Sequence, residues 1–200
     1  MSKRGVHHFF PVAVQSTAVD GAQDMNKQIV KEIANVRGTV PNSLPEGWSC
    51  NLYTTIASGD NLLSRPAFKQ LEQHIFTEAA AFASVYALDI DRHPLRITDC
   101  WVNVYGQGDA QEAHIHQNCV ISGIYYVAAP EGCGELLFHS PQSDVMLNPP
   151  TKEANDANTP MVAYRPGPGE MLLFRSWLRH SVKPTRGREE RISIAFNLTM

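Results

Sequence analysis

The chain has 200 residues, the size of one domain, and its 43% hydrophobic and 18% charged residues allow a packed core and argue against disorder. A net charge of −3 offers no basic face to nucleic acid, and Arg175, Arg179, Lys183, Arg186 and Arg188 read as solvated loop charges. No run approaches the ~18 apolar residues that would cross a membrane. Two histidines and a proline break the opening MSKRGVHHFFPVAV, so it does not read as a secretory signal. Cys50, Cys100, Cys119 and Cys133 form no CxxC pair, which leads us to expect reduced thiols and a cytoplasmic protein.

In chain order, residues 22–37 place Met25, Ile29, Ile33 and Val36 at helical spacing, with Gly38 as the expected stop. The stretch PNSLPEGWSCNLYTT reads as a loop leading into a short strand. Residues 66–87 form a second predicted helix, opened by Pro66 and striped by Phe68, Leu71, Ile75, Phe82 and Val85. From residue 95 the pattern changes to short runs rich in Val, Ile, Tyr and Phe, separated by Gly, Pro and Asn. Strands are predicted near 96–105, 112–117, 120–128, 134–139, 161–165, 170–175, 179–183 and 190–198. Such a block without intervening helices implies a jelly-roll barrel (a double-stranded β-helix) with the helices packed outside. The expected organisation is one domain over 1–200, helical up to about residue 94 and barrel from about 95. The polar segment 140–160 is expected to form a flap near the barrel mouth.

Several residues in the barrel carry chemistry. In a strand, His114 and His116 face the same side about 6.6 Å apart, close enough for two imidazoles to share a metal; in a helix they would diverge. In the last strand, Arg191, Ser193, Ala195 and Asn197 share one face, while Ile192, Ile194, Phe196 and Leu198 share the other. If the apolar face packs on a helix, the polar face points into the barrel, where a guanidinium needs an anion. Asn103 and Tyr105 share a face, as do Ser122, Ile124 and Tyr126. Trp101 and Tyr126 can line a pocket or serve only as core. His180 stands 64 residues after His116 and 11 before Arg191.

The order HxH, a distant His, then Arg-x-Ser resembles the motif of the 2-oxoglutarate/iron(II) oxygenases. The pieces GWSC, WVNVYGQG, HIHQN, SGIYYV, GEMLLFRSWLRHSV and RISIAFN are similar to a small family of such enzymes found in marine bacteria and their phages. The Asn-x-Tyr of Asn103 and Tyr105 is also similar to that of the oxidative DNA-repair demethylase branch. The resemblance implies Fe(II) at His114, His116 and His180, with Asn103, Tyr105, Arg191 and Ser193 orienting 2-oxoglutarate. It further implies O₂ as oxidant, hydroxylation as the reaction and succinate and CO₂ as products. His7, His8, His74, His93 and His139 are expected to stay outside the site.

One departure stands out: the family's usual carboxylate in H-x-D is His116 here. Direct ligation by His116 therefore competes with water at the third position, or with Asp109 or Glu112 swinging in. Two other functions compete as well: a cupin-type three-His dioxygenase that does not use 2-oxoglutarate, and a jelly-roll binding module without catalysis. The substrate class is a small molecule or a protein side chain, and a homodimer is compatible with the sequence.

Overall fold

The computed structural model describes residues 4–142, 147 and 149–200. Among these residues ten strands and two α-helices follow in the order β1 (Val14–Ala18), α1 (Ala22–Thr39), β2 (Tyr53–Thr54), α2 (Lys69–Val85), β3 (Arg96–Tyr105), β4 (Gln111–His114), β5 (Ile121–Ala128), β6 (Leu136–His139), β7 (Met161–Tyr164), β8 (Glu170–Arg175), β9 (His180–Val182) and β10 (Arg191–Thr199). They form a six-stranded sheet, β1-β8-β5-β10-β3-β2, and a four-stranded sheet, β4-β9-β6-β7. Every pairing is antiparallel.

Strand alternation divides the larger sheet into two faces. Val102, Val104, Tyr125, Ile194, Phe196 and Leu198 point outward and pack with Met25, Ile29, Ile33 and Val36 of α1 and Leu71, Ile75 and Phe82 of α2. The opposite face meets the smaller sheet. There Tyr105, Ile124, Tyr126, Leu172 and Phe174 pack against Leu136, Phe138 and Val182. The outer face of β10 therefore packs on helices, as its apolar register predicts, and Arg191, Ser193 and Asn197 are buried on the inner side.

Three details depart from the sequence expectations. Strand β1 was not anticipated, because Gln15, Ser16 and Thr17 hide its alternation; it pairs with β8 as an edge strand. Gln15 and Thr17 fasten it to α2 by donating to the Glu78 carboxylate at 2.8 and 2.7 Å. Helix α1 does not stop at Gly38 but runs through Thr39, whose hydroxyl donates to the Asn35 carbonyl at 2.9 Å. The second helical stretch splits into a 3-10 turn at Pro66–Phe68 and α2, which ends at Val85.

The 140–160 segment joins β6 to β7, and its base is closed by the Ser140 N–H donating to the Pro160 carbonyl at 2.8 Å. The centre of the expected flap, 143–146 and 148, lies outside the described residues.

Gly123 on β5 leaves no room for a side chain against the outer core. A Cβ there would lie 2.3 Å from the Phe196 ring and 2.9 Å from the Leu172 carbonyl. Gly123→Ala should therefore destabilise the fold by about 1–3 kcal/mol, the usual range for overpacking, with a lowered urea midpoint and an unchanged slope.

Candidate metal centre

The barrel brings together three imidazoles that lie far apart in sequence. In the smaller sheet, β4 pairs with β9 so that His114 stands directly opposite His180. Their ring centroids are 4.3 Å apart. The predicted strand through 112–117 is shorter than expected: β4 ends at His114, and His116 lies just beyond it. His116 is held there by its N–H, which donates to the Ser176 carbonyl at 3.0 Å. Its ring still returns to the same side, with its centroid 5.2 Å from that of His114. The His116 and His180 rings are nearly parallel at 8°, and their Nε2 atoms are 3.3 Å apart. One candidate ligand atom from each of the three histidines lies within 4.8 Å of the others.

Neighbouring groups fix the rings. Trp101 stacks on His116 at 5.7 Å, and Phe174 meets His180 edge-on at 4.7 Å. His114 Nδ1 lies 2.7 Å from the Glu112 carbonyl, and His180 Nδ1 lies 2.9 Å from the Leu178 carbonyl. A carbonyl can only accept, so both Nδ1 atoms carry the proton and both Nε2 atoms present lone pairs. Burial pushes His180 down to about 3 and His116 down to about 4, and lowers His114 as well. All three rings are then neutral near pH 7, the form that binds a metal.

The two acidic rivals are engaged elsewhere. The Glu112 carboxylate accepts from the Ser49 N–H at 2.5 Å and from the Ser49 hydroxyl. Asp109 accepts from the Gly106 N–H at 2.7 Å and closes a turn. His139, on β6 next to β9, has its Nε2 2.9 Å from the Ser181 hydroxyl. None of the five remaining histidines joins the cluster among the described residues.

A second group of buried polar atoms lies further along the barrel interior. Arg191 is 1% exposed, with its guanidinium carbon 4.5 Å from the Tyr105 ring centre and 5.1 Å from that of Tyr126. Its Nε and Nη1 atoms and the Tyr126 hydroxyl make no hydrogen bond of ordinary length, although the guanidinium lies close enough to both tyrosine hydroxyls to interact with them. Burial raises the Tyr126 phenol to about 12, so it remains a donor. A buried cation with two N–H groups and a neighbouring hydroxyl free of ordinary hydrogen bonds fits a carboxylate-bearing ligand. Ser193, also 1% exposed, stands opposite Asn103 on β3 and Tyr126 on β5.

Asn103 has a different environment. With its amide oriented to suit its neighbours, Nδ2 donates to the Thr54 hydroxyl at 2.7 Å and Oδ1 accepts from the Trp101 indole at 3.2 Å. It thereby steadies the ring that stacks on His116. The sequence allows Tyr126 either a pocket or a core position. Its shared face with Ser122 and Ile124 was the available signal. That its hydroxyl lacks an ordinary hydrogen bond was not visible.

A neutral three-imidazole cluster on the inner side of the barrel, with a buried guanidinium on the same face of the larger sheet as Trp101, suits a metal ion and an anionic ligand. Residues 99–197 match the family model described as "Putative 2OG-Fe(II) oxygenase". These 99 residues, just under half of the chain, form a 2OG-Fe(II) oxygenase domain, of a family that uses Fe(II), 2-oxoglutarate and O₂.

Solved structures agree on the fold. A prolyl-4-hydroxylase from Pseudomonas putida is 14% identical, covers 94% of each chain and gives a TM-score of 0.67. A prolyl hydroxylase from Trichoplax adhaerens, bound to a hypoxia-inducible-factor peptide, is 16% identical, covers 92% of this chain and 82% of its own, and gives 0.63. The epimerase SnoN of nogalamycin biosynthesis, bound to Fe³⁺, α-ketoglutarate and nogalamycin RO, is 14% identical, covers 94% and 79%, and gives 0.65. No curated protein sequence matches. Among the described residues no helix is long and apolar enough to cross a membrane.

Replacement of His116 separates ligand from neighbour. His116→Ala should lower Fe(II) affinity by at least about tenfold in anaerobic titration, whereas His116→Asp should retain it, because an aspartate restores an anionic oxygen ligand. Parent-like iron affinity in His116→Ala would remove His116 from the ligand set.

Proposed function

We propose that residues 1–200 form one catalytic unit in which His114, His116 and His180 hold Fe(II) and Arg191 receives the distal carboxylate of 2-oxoglutarate. The reaction we assign is hydroxylation of a small-molecule or peptide substrate. When bound, iron and 2-oxoglutarate supply the oxidation, in which 2-oxoglutarate and O₂ give succinate, CO₂ and one oxygen atom for the substrate.

The observation that carries this reading is Arg191, buried between two tyrosines with two nitrogens that make no hydrogen bond of ordinary length. An uncompensated buried charge is expensive, on the order of several kcal/mol, so a fold that keeps one implies an anionic ligand. A cupin-type dioxygenase or a binding module without cosubstrate would leave that charge unexplained. Tyr126 completes the cradle as a neutral donor, Tyr105 and Ser193 wall it, and Asn103 acts through Trp101 on the orientation of His116. We also place the chain in the cytoplasm, a reading that its four free cysteines support.

The direct test is anaerobic addition of Fe(II) followed by 2-oxoglutarate. A weak visible charge-transfer band from bidentate chelation supports the assignment, and its absence refutes it. Arg191→Lys should weaken 2-oxoglutarate binding by about 1.5–3 kcal/mol, because a point charge does not replace the guanidinium fork. Tyr126→Phe should weaken it by about 0.5–1.5 kcal/mol. The same change should leave the unfolding midpoint of the ligand-free protein unchanged or raised, since it removes a hydroxyl that makes no ordinary hydrogen bond there. Calorimetry and thermal unfolding read the two effects separately.

A further inference from the structure

We propose that the outer edge of β3 binds an extended peptide as an added strand and leads it to the metal centre, an inference that rests on the oxygenase reading above. On its inner side β3 pairs with β10 from Arg96 to Tyr105. On its outer side β2 pairs only with Asn103 and Val104. Val102 is then capped by Thr55: the Thr55 N–H donates to the Val102 carbonyl at 3.2 Å, and the Val102 N–H donates to the Thr55 hydroxyl at 3.1 Å. From there back to Arg96, no strand lies on that side among the described residues. Strand residues present their N–H and C=O to alternate sides, so Cys100, two places before Val102, offers both groups outward.

The space beyond this edge has the shape of a slot. Two hollows of about 350 and 510 Å³ adjoin each other, share Asn61, Leu63 and Ile97, and together follow β3 from Trp101 back to Leu95. The segment from Ile56 to Ser64 and Phe76 of α2 form the opposite wall. No backbone hydrogen bond from 56–64 reaches 96–101 among the described residues. At roughly 3.3 Å per residue the free edge from Leu95 to Trp101 matches the length of a strand of about six residues.

One end abuts the metal cluster, because Trp101 lines the first hollow and stacks on His116 at 5.7 Å. An open edge invites strand addition, and the opposite wall restricts this one to a single chain rather than another sheet. The carboxylates near the metal end set the charge. Asp60 is paired with Arg65 at 3.0 Å, whereas Asp99 accepts from the Thr98 hydroxyl at 2.8 Å and has no cationic partner among the described residues. The slot therefore favours a peptide that is neutral or basic beside the modified residue.

The test uses the full chain loaded with Fe(II) and 2-oxoglutarate, the chelate band being checked first, and a random-sequence pool of short peptides. Mass spectrometry should find peptides that gain the mass of one oxygen atom. Backbone N-methylation of such a peptide should raise KM about tenfold at alternating positions and leave the intervening positions unchanged, since only every second amide faces β3. Cys100→Pro, which removes an outward N–H, should raise KM for the same peptide while the chelate band persists. A formed band with no modified peptide, or an N-methyl scan without alternation, would overturn the strand-addition proposal alone. Failure of the band itself would overturn the metal and cosubstrate assignment beneath it.

Discussion

The interior of this barrel is organised around a positive charge that the protein does not neutralise. Arg191 lies between the Tyr105 and Tyr126 rings, which offer their π-faces but no anion. Such a group is tolerable only where a ligand is due to arrive. Its position depends on one geometric constraint, the two-residue period of a strand packed on both faces. Ile194, Phe196 and Leu198 of β10 must meet the helices. Arg191, Ser193 and Asn197 are consequently committed to the inside, and a shift by one residue would exchange the two sets.

Burial acts in opposite ways on the histidines and on Arg191. It holds the three imidazoles neutral, with His180 down at about 3, and so prepares them for a cation. It also strips water from a guanidinium that cannot lose its proton, and so prepares it for an anion. A metal at one end and a dicarboxylate spanning to the other satisfy both. The third imidazole leaves the metal one charge more positive than a two-histidine, one-carboxylate site does. Glu112 and Asp109 do not make up that charge at the cluster, because each is tied into a local turn or loop contact.

Much of this was legible in the residues. The block of short strands, the two amphipathic helices and the inward register of β10 all follow from period and composition. The convergence of His114 and His180 follows from the family motif and not from local pattern, because their pairing across β4 and β9 joins positions far apart in the chain. The HxH spacing pointed to a shared metal through strand alternation, yet β4 ends before His116. A backbone contact to Ser176, rather than the pleat, holds that residue in place. Strand β1 escaped notice because an edge strand with one face on Glu78 can carry polar residues without penalty. The role of Asn103 beside Trp101 depends on Thr54, which the sequence places nearly fifty positions earlier.

The central claim is that one metal and one 2-oxoglutarate occupy the space between the histidines and Arg191. Anaerobic crystals of the Fe(II) and 2-oxoglutarate complex, measured at the iron absorption edge, test it most directly. The account predicts a single anomalous peak coordinated by His114, His116 and His180, with a 2-oxoglutarate carboxylate on the Arg191 guanidinium. An anomalous peak elsewhere, or a 2-oxoglutarate that leaves Arg191 without a partner, would contradict it.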